Sequence, residues 1–226
     1  MTRKSWFAAT AAYLVLIPQA AAQSAPDAFV DIATIAPGIV VEMRYAGSEN
    51  FVGRRIDGYE GARCLLTRPA AEALARVQTD LAARGAGVKI FDCYRPARAV
   101  DHFARWARDV VDAQRKREYY PDVDKRDLFR LGYIGKNSSH TRGSTVDLTL
   151  IDLASGRERD MGTPFDFMSE RSGFAHPGNT GEARASRAML RTAMEKQGFS
   201  AYAKEWWHFT LRNEPFPNTY FDFLVR

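Results

Sequence analysis

The chain has 226 residues, 46% of them hydrophobic and 26% charged, and a formal net charge of +5. That balance suits one soluble domain with a core of its own, and excludes a disordered chain or one that needs metal or disulfides merely to fold. The positive excess is mild and interleaved with acids, which excludes a nucleic-acid surface built on a basic run.

The amino terminus reads as a separate segment. Arg3 and Lys4 precede a mostly apolar stretch from Trp6 to Pro18, and Ala20-Ala21-Ala22 supplies the small residues of a cleavage site. This is the pattern of a secretory signal peptide over residues 1–22. Its apolar run falls short of the roughly 20 residues that a membrane span needs. Residues 23–226 then form the mature domain, exported to the periplasm or secreted, with no stable membrane insertion. Without Arg3 and Lys4 its net charge is +3. An exported chain can hold a disulfide. Cys64 precedes a predicted helix and Cys93 ends a predicted strand. The reading favours a bond between them, with two buried free thiols as the alternative.

Residues 23–36 read as a flexible lead-in. Residues 40–45 read as a strand, and 46–61 as a long polar loop of the kind that carries function. Thr67 is a candidate N-cap with Pro69 in the first turn. Leu74, Val77 and Leu81 mark one apolar helix face, and Gly85 and Gly87 end that helix. Residues 88–94 read as a strand. Pro96 biases Arg95 toward extended backbone. Arg95 therefore stands at a strand end, before a helix whose apolar positions run through Val100, Phe103, Ala104, Ala107, Val110 and Val111.

Residues 117–136 read as a charged surface excursion. Residues 145–150 form a strand with Val146, Leu148 and Leu150 on one face, which turns Asp147 to the other. A carboxylate within such a run needs a partner, and a metal is one. Residues 160–181 are irregular, 184–197 are helical up to Gly198, and 205–212 lead into a final strand. This alternation predicts an α+β fold: a single domain with a small, largely antiparallel sheet, packed helices and long active-site loops.

Two stretches carry the chemistry: Ser138-Ser139-His140-Thr141-Arg142-Gly143-Ser144-Thr145-Val146-Asp147 and Glu205-Trp206-Trp207-His208. His140, Asp147 and His208 offer two imidazoles and a carboxylate, a donor set that suits one Zn²⁺ per chain and leaves an open position for water. Of the other histidines, His102 reads as structural and His176 as a loop residue.

Glu205 stands three before His208. In a regular strand the two would face opposite ways, so the backbone must turn there and the strand must begin after Glu205. Its carboxylate can take a proton from the attacking water and pass it to a leaving amine; a surface ion pair is the alternative. Arg95 can stabilise a tetrahedral oxyanion, or be an arginine packed for structure.

Ser-x-His-x-x-Gly-x-x-x-Asp followed by Glu-x-Trp-His resembles the D-Ala-D-Ala zinc metallopeptidases, a family of D,D-carboxypeptidases and D,D-dipeptidases. The closer likeness is to its VanX-type dipeptidase branch. It extends through Met43-Arg44-Tyr45, Asn50-Phe51-Val52-Gly53, Asp92-Cys93-Tyr94-Arg95-Pro96, Met161-Gly162-Thr163-Pro164-Phe165-Asp166 and the tail from Pro217 to Phe223. The resemblance implies zinc held by His140, Asp147 and His208, with Glu205 as catalytic base and acid and Arg95 on the transition state. Tyr45, Ser138 and Asp166 would contact a small D,D-dipeptide substrate, Asp166 facing its free ammonium. A D,D-carboxypeptidase and a non-catalytic cell-wall-binding module are the alternatives. The signal peptide departs from the cytoplasmic resistance enzymes of the family. It fits salvage of dipeptide released from the cell wall.

Overall fold

The computed structural model describes residues 25–226, so the predicted signal peptide over residues 1–22 lies outside the described residues. Two strands are apolar enough to be covered on both faces, and the sheet grows from them. They are β4 (Ala86–Asp92) and β5 (Thr145–Asp152), both buried along almost their whole length. They pair antiparallel, with Val88 opposite Leu150 and Ile90 opposite Leu148. The register then slips between Ile90 and Asp92, which brings Asp92 opposite Asp147. Such a bulge re-aims side chains at a strand end.

Strand β7 (His208–Leu211) lies on the other side of β5, and β6 (Phe199–Ala201) closes that edge. The two-residue β2 (Val40–Val41) adds to β4 in parallel at the opposite edge. The order is β2-β4-β5-β7-β6, antiparallel except for β2. This is the α+β architecture expected.

Helices α2 (Arg68–Ala82) and α6 (Gly181–Lys196) pack against this sheet and each other. In α2, Leu74, Val77 and Leu81 are buried, each worth about 1.5–3 kcal/mol. Thr67 sits at the N-cap position but makes no side-chain cap bond. Its hydroxyl pairs instead with Ser144 Oγ at 2.7 Å, tying the helix start to the glycine turn before β5. Helix α6 is capped by Thr180 Oγ1, which accepts from Ala183 N, so it starts three residues earlier than the apolar pattern alone suggests.

Several expectations are corrected. The lead-in is ordered: β1 (Phe29–Asp31) pairs antiparallel with β3 (Leu65–Thr67), and α1 (Ile32–Ile35) is capped by Asp31. Phe29 drives this by packing edge-on against Tyr94, Phe221 and Phe223. The strand expected over 40–45 stops at Val41, and Arg44–Ala46 winds into a 3₁₀ turn that buries Tyr45. Helix α3 (Ala97–Arg108) ends before Val110 and Val111, which are exposed.

Residues 117–136 are no surface excursion. Short helices α4 (Lys116–Tyr119) and α5 (Leu128–Leu131) lay Tyr119, Tyr120, Val123, Leu128 and Ile134 into the core. Lys125 anchors the segment: its ammonium donates to the carbonyls of Asp109 and Asp112 at 2.6 Å and stands 3.9 Å over the Trp106 ring. Charge-assisted bonds and a cation–π contact satisfy a cation that periodicity cannot place.

Cys64 and Cys93 are joined in a disulfide with their Cα atoms 5.2 Å apart, 29 residues apart in sequence. Closing a loop of that length stabilises the fold by roughly 3.5 kcal/mol on the chain-entropy account.

Candidate metal centre

Asp147 and His208 are directly opposite partners on β5 and β7. Facing residues of an antiparallel pair stand close enough for their side chains to share one ion. His140 arrives from the 3₁₀ turn Ser139–Arg142, which ends on Gly143 in left-handed conformation at φ 82°. A Cβ there would stand 2.2 Å from the Phe29 ring, so the turn that delivers His140 needs glycine.

The outcome is a tight triangle. His140 Nε2 lies 3.2 Å from Asp147 Oδ2 and 3.3 Å from His208 Nδ1, which lies 3.1 Å from Asp147 Oδ1. These are the three residues, among those described, whose donor atoms all fall within 4.8 Å of one another. Asp147 Oδ1 is buried and accepts no hydrogen bond of sound geometry. A buried carboxylate whose two oxygens each face an imidazole nitrogen, one of them without a hydrogen bond, is a donor set that a cation would satisfy. The N,N,O set fits zinc with one position open.

The ring nitrogens that face away are also engaged. His140 Nδ1 donates to the carbonyl of Cys93 at 2.7 Å, and His208 Nε2 pairs with Ser139 Oγ at 3.2 Å. The carbonyl fixes the His140 tautomer that presents Nε2 inward, and Ser139 orients the His208 ring with Nδ1 inward. Burial lowers the His140 pKa, keeping it a neutral donor. Asp147 is held well below the usual carboxylate range: burial opposes ionisation, but His140 and then His208 override it.

Glu205 is placed by the turn that its spacing demanded. His208 N donates to Glu205 O, and β7 begins only at His208. Both side chains thus face one point, with Glu205 Oε2 3.6 Å from His208 Nδ1. Burial raises the Glu205 pKa to about 7, the range in which a carboxylate can both accept and return a proton near neutrality.

Arg95 leaves the end of β4 and reaches the same point, its Nη2 3.5 Å from Asp147 Oδ2. Asp92 aims it, accepting from Arg95 Nε at 2.9 Å and from Tyr59 OH at 2.6 Å. The guanidinium also stacks over the rings of Tyr45 and Phe103, 5.1 and 5.2 Å from their centres. A fork held on three sides is preorganised, which is what oxyanion stabilisation requires.

These groups open into a cavity of about 430 Å³. Phe51, Phe103, Tyr133, Ile134, Met168 and Trp207 give it apolar walls, and Tyr45, Ser138, Asp166 and Glu205 its polar points. Asp166 sits in left-handed backbone at φ 60°, one of the few conformations where a non-glycine residue signals a special task. It accepts from Tyr45 OH at 2.7 Å. Burial, then the charge of Asp147, pushes its pKa well above the carboxylate range. A substrate ammonium beside it would restore the charged form. Ser138 Oγ caps the 3₁₀ turn by accepting from His140 N.

Every residue singled out from sequence is brought together here, except the histidines set aside. His102 accepts from Asp57 N, tying the 46–61 loop to α3, and His176 lies outside the cavity, accepting from Gly178 N. Sequence reasoning missed Asp92, Tyr59 and Ser139. Asp92 was visible as a strand-end carboxylate three before Arg95; Tyr59 and Ser139 carried no signal of their own.

Comparisons with known proteins identify the family. A family profile described as Peptidase_M15, D-ala-D-ala dipeptidase, matches residues 26–226. The chain is 42% identical over 198 residues to a D-alanyl-D-alanine dipeptidase of Enterococcus faecium, covering 88% of this chain and 98% of that protein. It is 44% identical over 188 residues to one of Enterococcus faecalis, covering 83% and 93%. A third, from Escherichia coli, is 36% identical over 182 residues, covering 80% and 83%. With a matching profile across the whole described domain and relatives at this identity, the chain belongs to the M15 peptidase family of D-ala-D-ala dipeptidases.

Proposed function

We propose that this chain hydrolyses the dipeptide D-Ala-D-Ala to two D-Ala in a zinc-dependent reaction. The observation that carries the reading is the convergence, in one cavity, of the His140–Asp147–His208 triangle, the carboxylate of Glu205, the aimed guanidinium of Arg95 and the buried carboxylate of Asp166. His140 Nε2, Asp147 and His208 Nδ1 would hold the metal. Zinc, when bound, supplies a Lewis acid that polarises a carbonyl and acidifies water.

The residues do the rest. Glu205 removes the proton from the attacking water and delivers it to the amide nitrogen that leaves. Arg95 receives the negative charge that develops on the scissile oxygen. Asp166, steadied by Tyr45, pairs with the free ammonium of the substrate. Ser138 borders the same cavity and contacts the substrate. A buried carboxylate at the amine end leaves an acylated nitrogen with nothing to offer it, so longer stem peptides are disfavoured. This separates a dipeptidase from a D,D-carboxypeptidase. Export through residues 1–22, and a salvage role outside the cytoplasm, belong to the same proposal; the Cys64–Cys93 bond supports them, since such bonds persist in oxidising compartments.

Asp166→Asn tests the amine reader. Asparagine tolerates the left-handed backbone and keeps the Tyr45 contact, so the fold should be preserved. The loss of a buried charge partner is worth about 2–5 kcal/mol. The kcat/KM for free D-Ala-D-Ala should therefore fall about 10²-fold, mostly through KM. An unchanged KM would remove Asp166 from substrate recognition.

A further inference from the structure

The disulfide lies nearer the chemistry than a staple needs to. Cys93 is the residue between Asp92 and the Tyr94-Arg95 step, and its own carbonyl accepts the Nδ1 proton of His140 at 2.7 Å. The sulfur and the carbonyl of one residue thus connect a covalent crosslink to a metal ligand. The neighbours of Cys93 are tied as well, Tyr94 OH donating to Phe223 O at 3.0 Å and Arg95 Nε to Asp92 at 2.9 Å, but the disulfide is the covalent tie on Cys93 itself. Past the bulge, Tyr94 N donates to Leu65 O, beside Cys64, and Arg95 N donates to His140 O. Cys64 in turn is held from the other side, its carbonyl accepting from Ile32 N. Both cysteines are fully buried.

We propose that the Cys64–Cys93 disulfide is a positioning element of the metal site: it fixes the carbonyl that orients His140, and so sets the affinity for zinc. The inference rests on the reading of His140, Asp147 and His208 as zinc ligands. Groups that orient a ligating histidine commonly change metal affinity 10–100-fold when lost. Loosening the carbonyl, rather than deleting it, places the expectation at the lower end.

The test is the zinc dissociation constant of the full mature chain and of Cys64→Ala/Cys93→Ala, by competition with a chromophoric chelator well below either unfolding temperature. The imidazole Nδ1 proton of His140 is followed by NMR in the same samples. The expected result is about 10-fold weaker zinc binding, with faster solvent exchange of that proton. Equal affinity within twofold and an unchanged proton, alongside a lowered Tm, would overturn the proposal and leave the bond a stabiliser only. If the alanine pair does not fold, Cys64→Val/Cys93→Ala restores the lost volume and gives the same readout. A chain that folds with neither pair also overturns the positioning role. Failure of the parent chain to bind one zinc would instead overturn the metal reading itself.

Discussion

Glu205→Ala is expected to bind zinc with the affinity of the parent chain and to lose about 10³-fold in kcat. Glu205 belongs to neither the ligand triangle nor the core: its carboxylate stands 3.6 Å from His208 Nδ1, aimed into the cavity, while the three ligands meet without it. Removing it takes away proton transfer and leaves the metal donors untouched. The pH profile gives an independent sign. Burial raises the Glu205 pKa to about 7, and a cation bound beside it would lower that value. A general base works when deprotonated, so kcat/KM of the parent should fall as pH drops through a limb at or below about 7. That limb should vanish in the variant. Full activity in Glu205→Ala, or loss of zinc from it, would refute the assigned role.

Replacing Arg95 should cost nearly as much. Loss of one preorganised donor to an oxyanion lowers kcat about 10²–10³-fold. The simple Arg95→Ala variant confounds two effects, because it leaves the buried Asp92 carboxylate with only the Tyr59 hydroxyl and the His140 ring 3.5 Å away. Breaking a buried pair in this way costs about 3–5 kcal/mol of stability. Arg95→Met/Asp92→Asn removes both charges and keeps the packing against Tyr45 and Phe103. It should therefore fold, and its kcat is read against Asp92→Asn alone, which carries any effect of Asp92 on the His140 ring 3.5 Å away. A folded double variant with near-parental kcat would show that Arg95 is structural.

The site was more legible in the sequence than the fold around it, for a physical reason. A metal centre needs particular atoms, and His140, Asp147, His208 and Glu205 announce themselves by residue type and spacing. The alternation around Asp147 even fixed which face of β5 it occupies, and the three-residue gap before His208 required the turn that the backbone makes. What failed depended on distant partners. Residues 117–136 look solvated until Lys125 finds two carbonyls and an indole to hold it. The lead-in gains order from an aromatic cluster whose other members lie at Tyr94 and near the carboxyl terminus. The strand expected over 40–45 unwinds because Tyr45 is drawn toward Asp166, 121 residues away. The loop after it is knotted by Asn50, whose two amide protons are shared among the carbonyls of Arg44, Gly47 and Arg54 and whose oxygen accepts from Val52 N and Gly53 N. Periodicity carries none of these long-range choices.

The dipeptidase reading is tested most directly by D-Ala release by the zinc-loaded chain from D-Ala-D-Ala and from its N-acetyl derivative, each repeated after chelation and after zinc is restored. Cleavage of the free dipeptide alone is expected, abolished by the chelator and recovered with zinc. Cleavage of the acetylated peptide would make the chain a carboxypeptidase, and cleavage of neither would make it a binding module; either result would contradict the dipeptidase reading.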